Sequence, residues 1–326
     1  MVVLEHWHES AVLGPGHRQH AGREIGGHAG MSTRTPFRLA ARRQCRLAFT
    51  KAEAFTLVLA RIIIHLMTPI IPTTIPRVAL VTGAAQRLGR AISIELARHG
   101  FSVAVHCNTS LEEAAAAQEE IRALGQRAII LQADLSDEAQ VSRLIPQTVD
   151  QLGPVGVLIN NASRFDRDEW HDATRDTWDA HMEPNLRAPF VLTQAFARAL
   201  PAAAEGAIIN MVDQRVWSLT PHFVSYTISK AGLWALTQTM ALALAPRIRV
   251  NAIGPGPALP NSRQTEAQFA RQSASVPLGR GTSPAEVACA AIAILGLPAM
   301  TGQMIALDGG QHLQWAPVRN VPGPDE

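Results

Sequence analysis

The sequence predicts an α/β domain, a parallel β-sheet with helices packed on both faces. Three observations carry that expectation. From Arg77 onward, short apolar runs rich in β-branched residues recur, each followed by a stretch of helical period. The runs are continuously apolar rather than alternating, which suits strands buried on both faces. The composition, 47% apolar and 17% charged, suits a packed core rather than a disordered chain.

The elements follow in order. Strands are predicted at 77–82 (RVALVT), 102–106 (SVAVH), 127–132 (RAIILQ), 156–160 (GVLIN), 206–211 (GAIINM), 248–253 (IRVNAI) and 303–307 (QMIAL). Helices are predicted at 88–99, 110–124, 137–152, about 176–203, 225–245 and 283–296. Such alternation reads as a doubly wound, Rossmann-like sheet. No repeat or low-complexity linker divides it, so residues 67–326 read as one domain.

Residues 1–66 differ from the rest. They carry nine Lys/Arg against four Asp/Glu, whereas residues 67–326 carry twenty against twenty-three. The basic excess therefore belongs to the extension, and the main body shows no nucleic-acid footprint. The extension is rich in His, Arg and Gly, and reads as a disordered tail or as sequence ahead of a later start at Met67. The apolar stretch 54–72 is interrupted by Arg61 and His65, short of the ~18 uninterrupted apolar residues of a membrane span. Three cysteines, Cys45, Cys107 and Cys289, fit neither a metal site nor a disulfide framework. They read as reduced thiols of a cytoplasmic protein.

The first strand runs into Thr82-Gly83-Ala84-Ala85-Gln86-Arg87-Leu88-Gly89, and a helix follows. A glycine-bearing turn there lets backbone N–H groups approach a pyrophosphate, with the helix dipole behind them. Arg87 in so cramped a loop suggests a guanidinium placed beside phosphates. After the second strand, His106-Cys107-Asn108-Thr109-Ser110 offers no carboxylate before Glu112. An acidic residue there would hold the ribose hydroxyls of NAD; its absence favours NADPH, whose 2′-phosphate meets polar groups instead. Tyr226 and Lys230, four residues apart, share one face of a helix. An ammonium beside a phenol favours the phenolate, which makes Tyr226 a general acid.

These motifs together resemble the short-chain dehydrogenase/reductase superfamily, over about 230 residues. Tyr226-Thr227-Ile228-Ser229-Lys230 looks like its Y-x-x-x-K. Asn160-Asn161-Ala162-Ser163 is similar to its N-N-A-G, with Ser163 in place of the glycine. The resemblance implies that Asp134, followed by Leu135, meets the adenine. It also implies that Asn161 and Ala162 border the cofactor and that Asn185 supports a water path to Lys230. Pro255 and Gly256 would then lie beside the nicotinamide. The hydroxyl residue often found just after this turn is missing here, where Pro257 and Ala258 stand.

Within that superfamily, T-G-A-A-x-R-L-G-R resembles the pteridine reductases. So do Ser163, Phe165 and Asp213, the last thirteen residues before Tyr226, where most members carry serine. The branch implies a pterin or dihydrofolate substrate held by Arg87, Ser163, Phe165, Asp213 and Tyr226. Asp213 and Tyr226 would deliver its proton, and Phe165 would stack on its ring. The residues leave two other readings open. One is a carbonyl reductase acting on a substrate such as a 3-oxoacyl thioester, which expects serine at 213. The other is an NADPH-sensing regulator, which could dispense with Tyr226 and Lys230. Residues 257–280 are expected to form a lid over the substrate. The superfamily further implies a homotetramer, to which the apolar helix 283–296 could contribute.

Overall fold

The computed structural model describes residues 70–261 and 263–313. The expectations for residues 1–66, for a start at Met67 and for the tail beyond Leu313 lie outside these residues. Seven strands form one sheet: β1 (Val78–Val81), β2 (Ser102–Cys107), β3 (Ala128–Gln132), β4 (Val157–Asn160), β5 (Gly206–Met211), β6 (Ile248–Pro255) and β7 (Met304–Leu307). Their order is β3-β2-β1-β4-β5-β6-β7, and every neighbouring pair is parallel. This is the doubly wound arrangement that the alternation predicts. The order reverses beside β1, which pairs with β2 on one edge and β4 on the other. Ligand crevices in such sheets open at that switch point, beyond the carboxyl ends of the strands.

Among the described residues eight α-helices accompany the sheet: α1 (Arg87–Arg98), α2 (Leu111–Ala123), α3 (Glu138–Leu152), α4 (Arg175–Met182), α5 (Ala188–Ala199), α6 (Val224–Leu244), α7 (Glu266–Ala274) and α8 (Pro284–Leu295). Side chains alternate across the sheet, so each strand feeds two cores. Ala79 and Val81 of β1 join Ile92, Leu96 and Ile121 beneath α1 and α2. Val78 and Leu80 join Leu144, Ile145, Leu192 and Phe196 beneath α3 and α5. In α8, Val287, Ala291, Ile292, Ile294 and Leu295 are all buried in the first of these cores. The apolar face considered for subunit contact is therefore spent inside the chain.

Two elements depart from the pattern read in the sequence. The helix expected at 176–203 is broken into α4, a π-helical turn at Glu183–Arg187, and α5. Pro184 has no N–H to donate, so the backbone ladder shifts register there. The segment 257–280, expected only as a lid, contains α7. Thr265 and Gln268 close a reciprocal capping box at its start, a T-x-x-Q signal present in the sequence.

No helix among the described residues is long and apolar enough to cross a membrane. Cys107 and Cys289 are both free. Among the described residues no group of three His, Cys, Asp or Glu side chains is gathered to hold a metal ion.

Candidate active site

Two adjoining cavities open at the carboxyl ends of the strands. The first, about 490 Å³, is bordered by the turn after β1, the end of β2, Asp134-Leu135-Ser136 and Asn161-Ala162-Ser163. The second, about 270 Å³, lies among Phe165, Asp213, Tyr226, Lys230, Pro255 and the segment after Gly256. Arg87, Leu88, Asn161 and Ser163 border both. The residues expected to hold a cofactor thus come together around one continuous cleft.

The turn after β1 is held from two sides. The Thr82 hydroxyl accepts from the backbone N–H of Asn161 at 2.9 Å and of Ala162 at 3.0 Å. Asn161 Nδ2 donates to the carbonyls of Thr82 at 2.8 Å and Gly83 at 3.1 Å. This clasp ties β1 to β4 at the switch point. Gly83 sits at φ +61°, the left-handed region that favours glycine. A Cβ on Gly89 would fall 2.1 Å from the Gly83 carbonyl oxygen, so the turn and α1 close only with glycine there.

His106 belongs to this framework. Its Nδ1 accepts from the Gly83 N–H at 3.1 Å, so Nε2 carries the proton and donates to the Ala133 carbonyl at 3.1 Å. Burial pushes its pKa down to about 4, against the opposing pull of the Ala133 carbonyl and Asp134. The ring borders the cleft but is neutral, with both nitrogens engaged. Polar contacts to a 2′-phosphate are left to Asn108, Thr109 and Ser110, which border the same cavity. Asp134 accepts from the Ser136 N–H at 2.8 Å.

Arg87 takes an unexpected part. It is a non-glycine residue at φ +53°, and its guanidinium donates to the carbonyls of Pro260 at 2.8 Å and Leu259 at 3.3 Å. It bridges the turn after β1 to the segment that follows Gly256. The sequence predicts this guanidinium beside phosphates, and the structure turns it to these two carbonyls.

The residues expected to do chemistry converge on the second cavity. The Tyr226 hydroxyl donates to Asp213 Oδ2 at 2.8 Å. Asp213 Oδ1 accepts from the Arg215 N–H at 2.8 Å, which caps the short turn Gln214–Val216 and fixes the carboxylate. Lys230, one helical turn beyond Tyr226, is buried and donates to the Met211 carbonyl at 2.8 Å. Burial lowers its pKa to about 8, while the Asp213 charge pulls the other way.

Asn185 lies in the π-helical turn, fully buried. Its Oδ1 accepts from the Arg164 N–H at 2.8 Å, and its Nδ2 donates to the Arg164 carbonyl at 2.9 Å and Ser229 Oγ at 3.0 Å. Ser229 in turn donates to the Tyr226 carbonyl at 2.7 Å. Asn185 therefore meets the helix of Tyr226 and Lys230 through Ser229 rather than at the lysine itself. Phe165 borders the cavity, with its ring stacked on Phe223 at 4.8 Å and edge-on to Tyr226 at 4.6 Å. Ser163 donates to the Arg164 carbonyl at 3.3 Å.

Several participants have no signal in the sequence. Asp168, His181 and Ser225 form a buried polar cluster behind Tyr226. Gln214 and Arg215 border the cavity beside Asp213. Their types are ordinary for loops and helices, and only the fold brings them together.

A doubly wound sheet carrying this cleft and this tyrosine–lysine helix defines a dinucleotide-dependent oxidoreductase of the short-chain type. The chain belongs to the short-chain dehydrogenase family, whose model matches residues 77–270. It is 32% identical over 240 residues to the 3-oxoacyl-[acyl-carrier-protein] reductase FabG of Staphylococcus aureus (strain Mu50 / ATCC 700699). That match covers 72% of this chain and 98% of the relative. Among solved structures, FolM alternative dihydrofolate reductase 1 from Brucella canis, complexed with NADP, is 46% identical with a TM-score of 0.73. It covers 75% of this chain and 97% of that one. The Brucella suis FolM, also in complex with NADP, matches at the same identity and TM-score over 76% and 99%.

Proposed function

We propose that this chain reduces a dihydropterin or dihydrofolate with NADPH, Tyr226 and Asp213 supplying the proton. The observation that carries the reading is the 2.8 Å hydrogen bond from Tyr226 to Asp213. A carboxylate stands where a carbonyl reductase of this family expects a serine hydroxyl. Beside a ketone, a fixed negative charge would oppose the oxyanion that develops during reduction. A heterocycle with ring nitrogens instead gains a proton, and a carboxyl next to the phenol provides its route. Similarity to the FolM structures supports the same substrate class.

The cleft fits NADPH on its own features. Gly83 and Gly89 let the turn close against Asn161 and Ala162, Leu88 and Gly89 at the α1 amino terminus border the cavity, and residues 106–111 carry no acid. Gly83, Leu88, Gly89 and the backbone of Arg87 would hold the pyrophosphate side. Asn108, Thr109 and Ser110 would take the 2′-phosphate, Asp134 and Leu135 the adenine, and Asn161, Ala162, Ser163, Pro255 and Gly256 the nicotinamide side. When bound, NADPH supplies a hydride to the ring. Tyr226 would pass its proton to the substrate, and Asp213, which accepts from the phenol, would relay a replacement proton to it from solvent. The Lys230 ammonium stabilises the phenolate left behind. Asn185 and Ser229 hold the helix on which both residues ride. A cytoplasmic homotetramer goes with this reading.

The FabG relatives favour a second reading, reduction of a 3-oxoacyl thioester. The test follows NADPH absorbance with 7,8-dihydropterins, dihydrofolate and acetoacetyl thioester in parallel. Turnover of a pterin or folate that collapses in Asp213→Ser is expected. Turnover of the thioester alone would replace this reading with the second.

A further inference from the structure

We infer that Gln214 is a recognition residue for the substrate, its carboxamide accepting a hydrogen bond from an N–H of the reduced heterocycle. This rests on the dihydropterin reading above. Gln214 is 5% exposed, and its Oε1 is buried without a hydrogen-bond partner. The same side chain borders the cavity shared with Phe165, Asp213 and Tyr226. Asp213 caps the short turn that Gln214 begins.

A buried carbonyl oxygen left unpaired is unfavourable, and proteins retain few of them. One that faces a binding cavity gains its partner when a ligand brings a donor. Pterins and folates carry N–H donors on the ring that is reduced, whereas a 3-oxoacyl thioester has none at its reacting ketone. The pairing therefore selects by the chemistry of the acceptor ring. A site built to hydrogen-bond a substrate N–H rejects analogues lacking it more strongly than an apolar pocket does. The nicotinamide carboxamide is the other N–H source within the cleft. Pro255 and Gly256 border the same cavity as Gln214, so the NADPH titration below separates the two sources.

The test uses the full chain with NADPH and 7,8-dihydropterin, comparing wild type with Gln214→Met and Gln214→Glu. Thermal melts first show that each variant folds. If Gln214→Met does not, Gln214→Asn withdraws the same oxygen by one methylene and carries the same expectation. Loss of the acceptor should raise KM for the pterin about tenfold, the scale of one buried hydrogen bond, with a smaller effect on kcat. Gln214→Glu keeps an acceptor oxygen and should stay near the wild-type KM. The NADPH dissociation constant, from fluorescence titration, should not move in any variant. An unchanged pterin KM in Gln214→Met overturns the inference while leaving the pterin reading intact. Weakened NADPH binding at constant KM overturns it too, and assigns Gln214 to the nicotinamide carboxamide. Wild-type protein that neither binds nor reduces the pterin overturns both.

Discussion

Asp168 accepts hydrogen bonds from both the backbone N–H and the hydroxyl of Ser225, the residue immediately before Tyr226. The carboxylate comes from the loop after β4 and caps the start of α6, where Phe223 sits at φ +57° and contributes no side-chain cap. His181 completes the cluster. Its Nε2 accepts from the Asp166 N–H at 3.0 Å, and its Nδ1–H faces Ser225 Oγ at 2.7 Å. The helix that carries Tyr226 and Lys230 is therefore anchored to a loop more than fifty residues upstream.

Asp168→Ala should destabilise the fold by about 2–3 kcal/mol, because it strands a buried N–H and hydroxyl that had a charged acceptor. Urea unfolding measures this. Asp168→Asn, which keeps one acceptor oxygen, should recover part of the loss. Wild-type stability in the alanine variant would show that the anchor contributes nothing.

The activity should fall in alkali. Lysine is charged below its pKa and neutral above it, and burial brings Lys230 down to about 8. Above that pH the ammonium no longer supports the Tyr226 phenolate. A profile of kcat/KM, which reports the free enzyme, should turn downward near pH 8. Lys230→Met should remove that limb along with most of the activity. A wild-type profile flat to pH 10 would contradict the assignment.

Stability should fall in acid through His106. The unfolded imidazole titrates near 6.5 and the buried one at about 4, so the unfolded chain binds the extra proton between those values. Stability from the neutral ring is complete above pH 6.5 and is lost as pH falls towards 4. At full extent the effect is roughly 3 kcal/mol. Denaturant midpoints at pH 7 and pH 4.5 would measure it. His106→Gln, which keeps a donor and an acceptor, should flatten the dependence. An identical pH dependence in that variant would place the effect elsewhere.

Local pattern made much of this molecule legible. Buried parallel strands need continuous apolar runs, and all seven lie within two residues of the predicted spans. Tyr226 and Lys230 were found because helical spacing alone puts them on one face. Gly83 was found because a tight turn between a strand and a helix needs it. The sequence predicts one helix over 176–203, and Pro184, which has no N–H to donate, interrupts it at the π-helical turn. The π-helical turn it accompanies is what carries Asn185 to Ser229.

What the sequence determined by itself, then, was the order of elements, the sheet they form and the pairing of Tyr226 with Lys230 on one helix. These follow from period and from backbone geometry, both of which are local. Only the tertiary structure decided which distant groups meet. It set Arg87 against the carbonyls of Leu259 and Pro260, His106 between Gly83 and Ala133, and Asp168 against Ser225. Such contacts depend on where a single side-chain atom lands after the whole sheet is assembled. No spacing along the chain encodes that position.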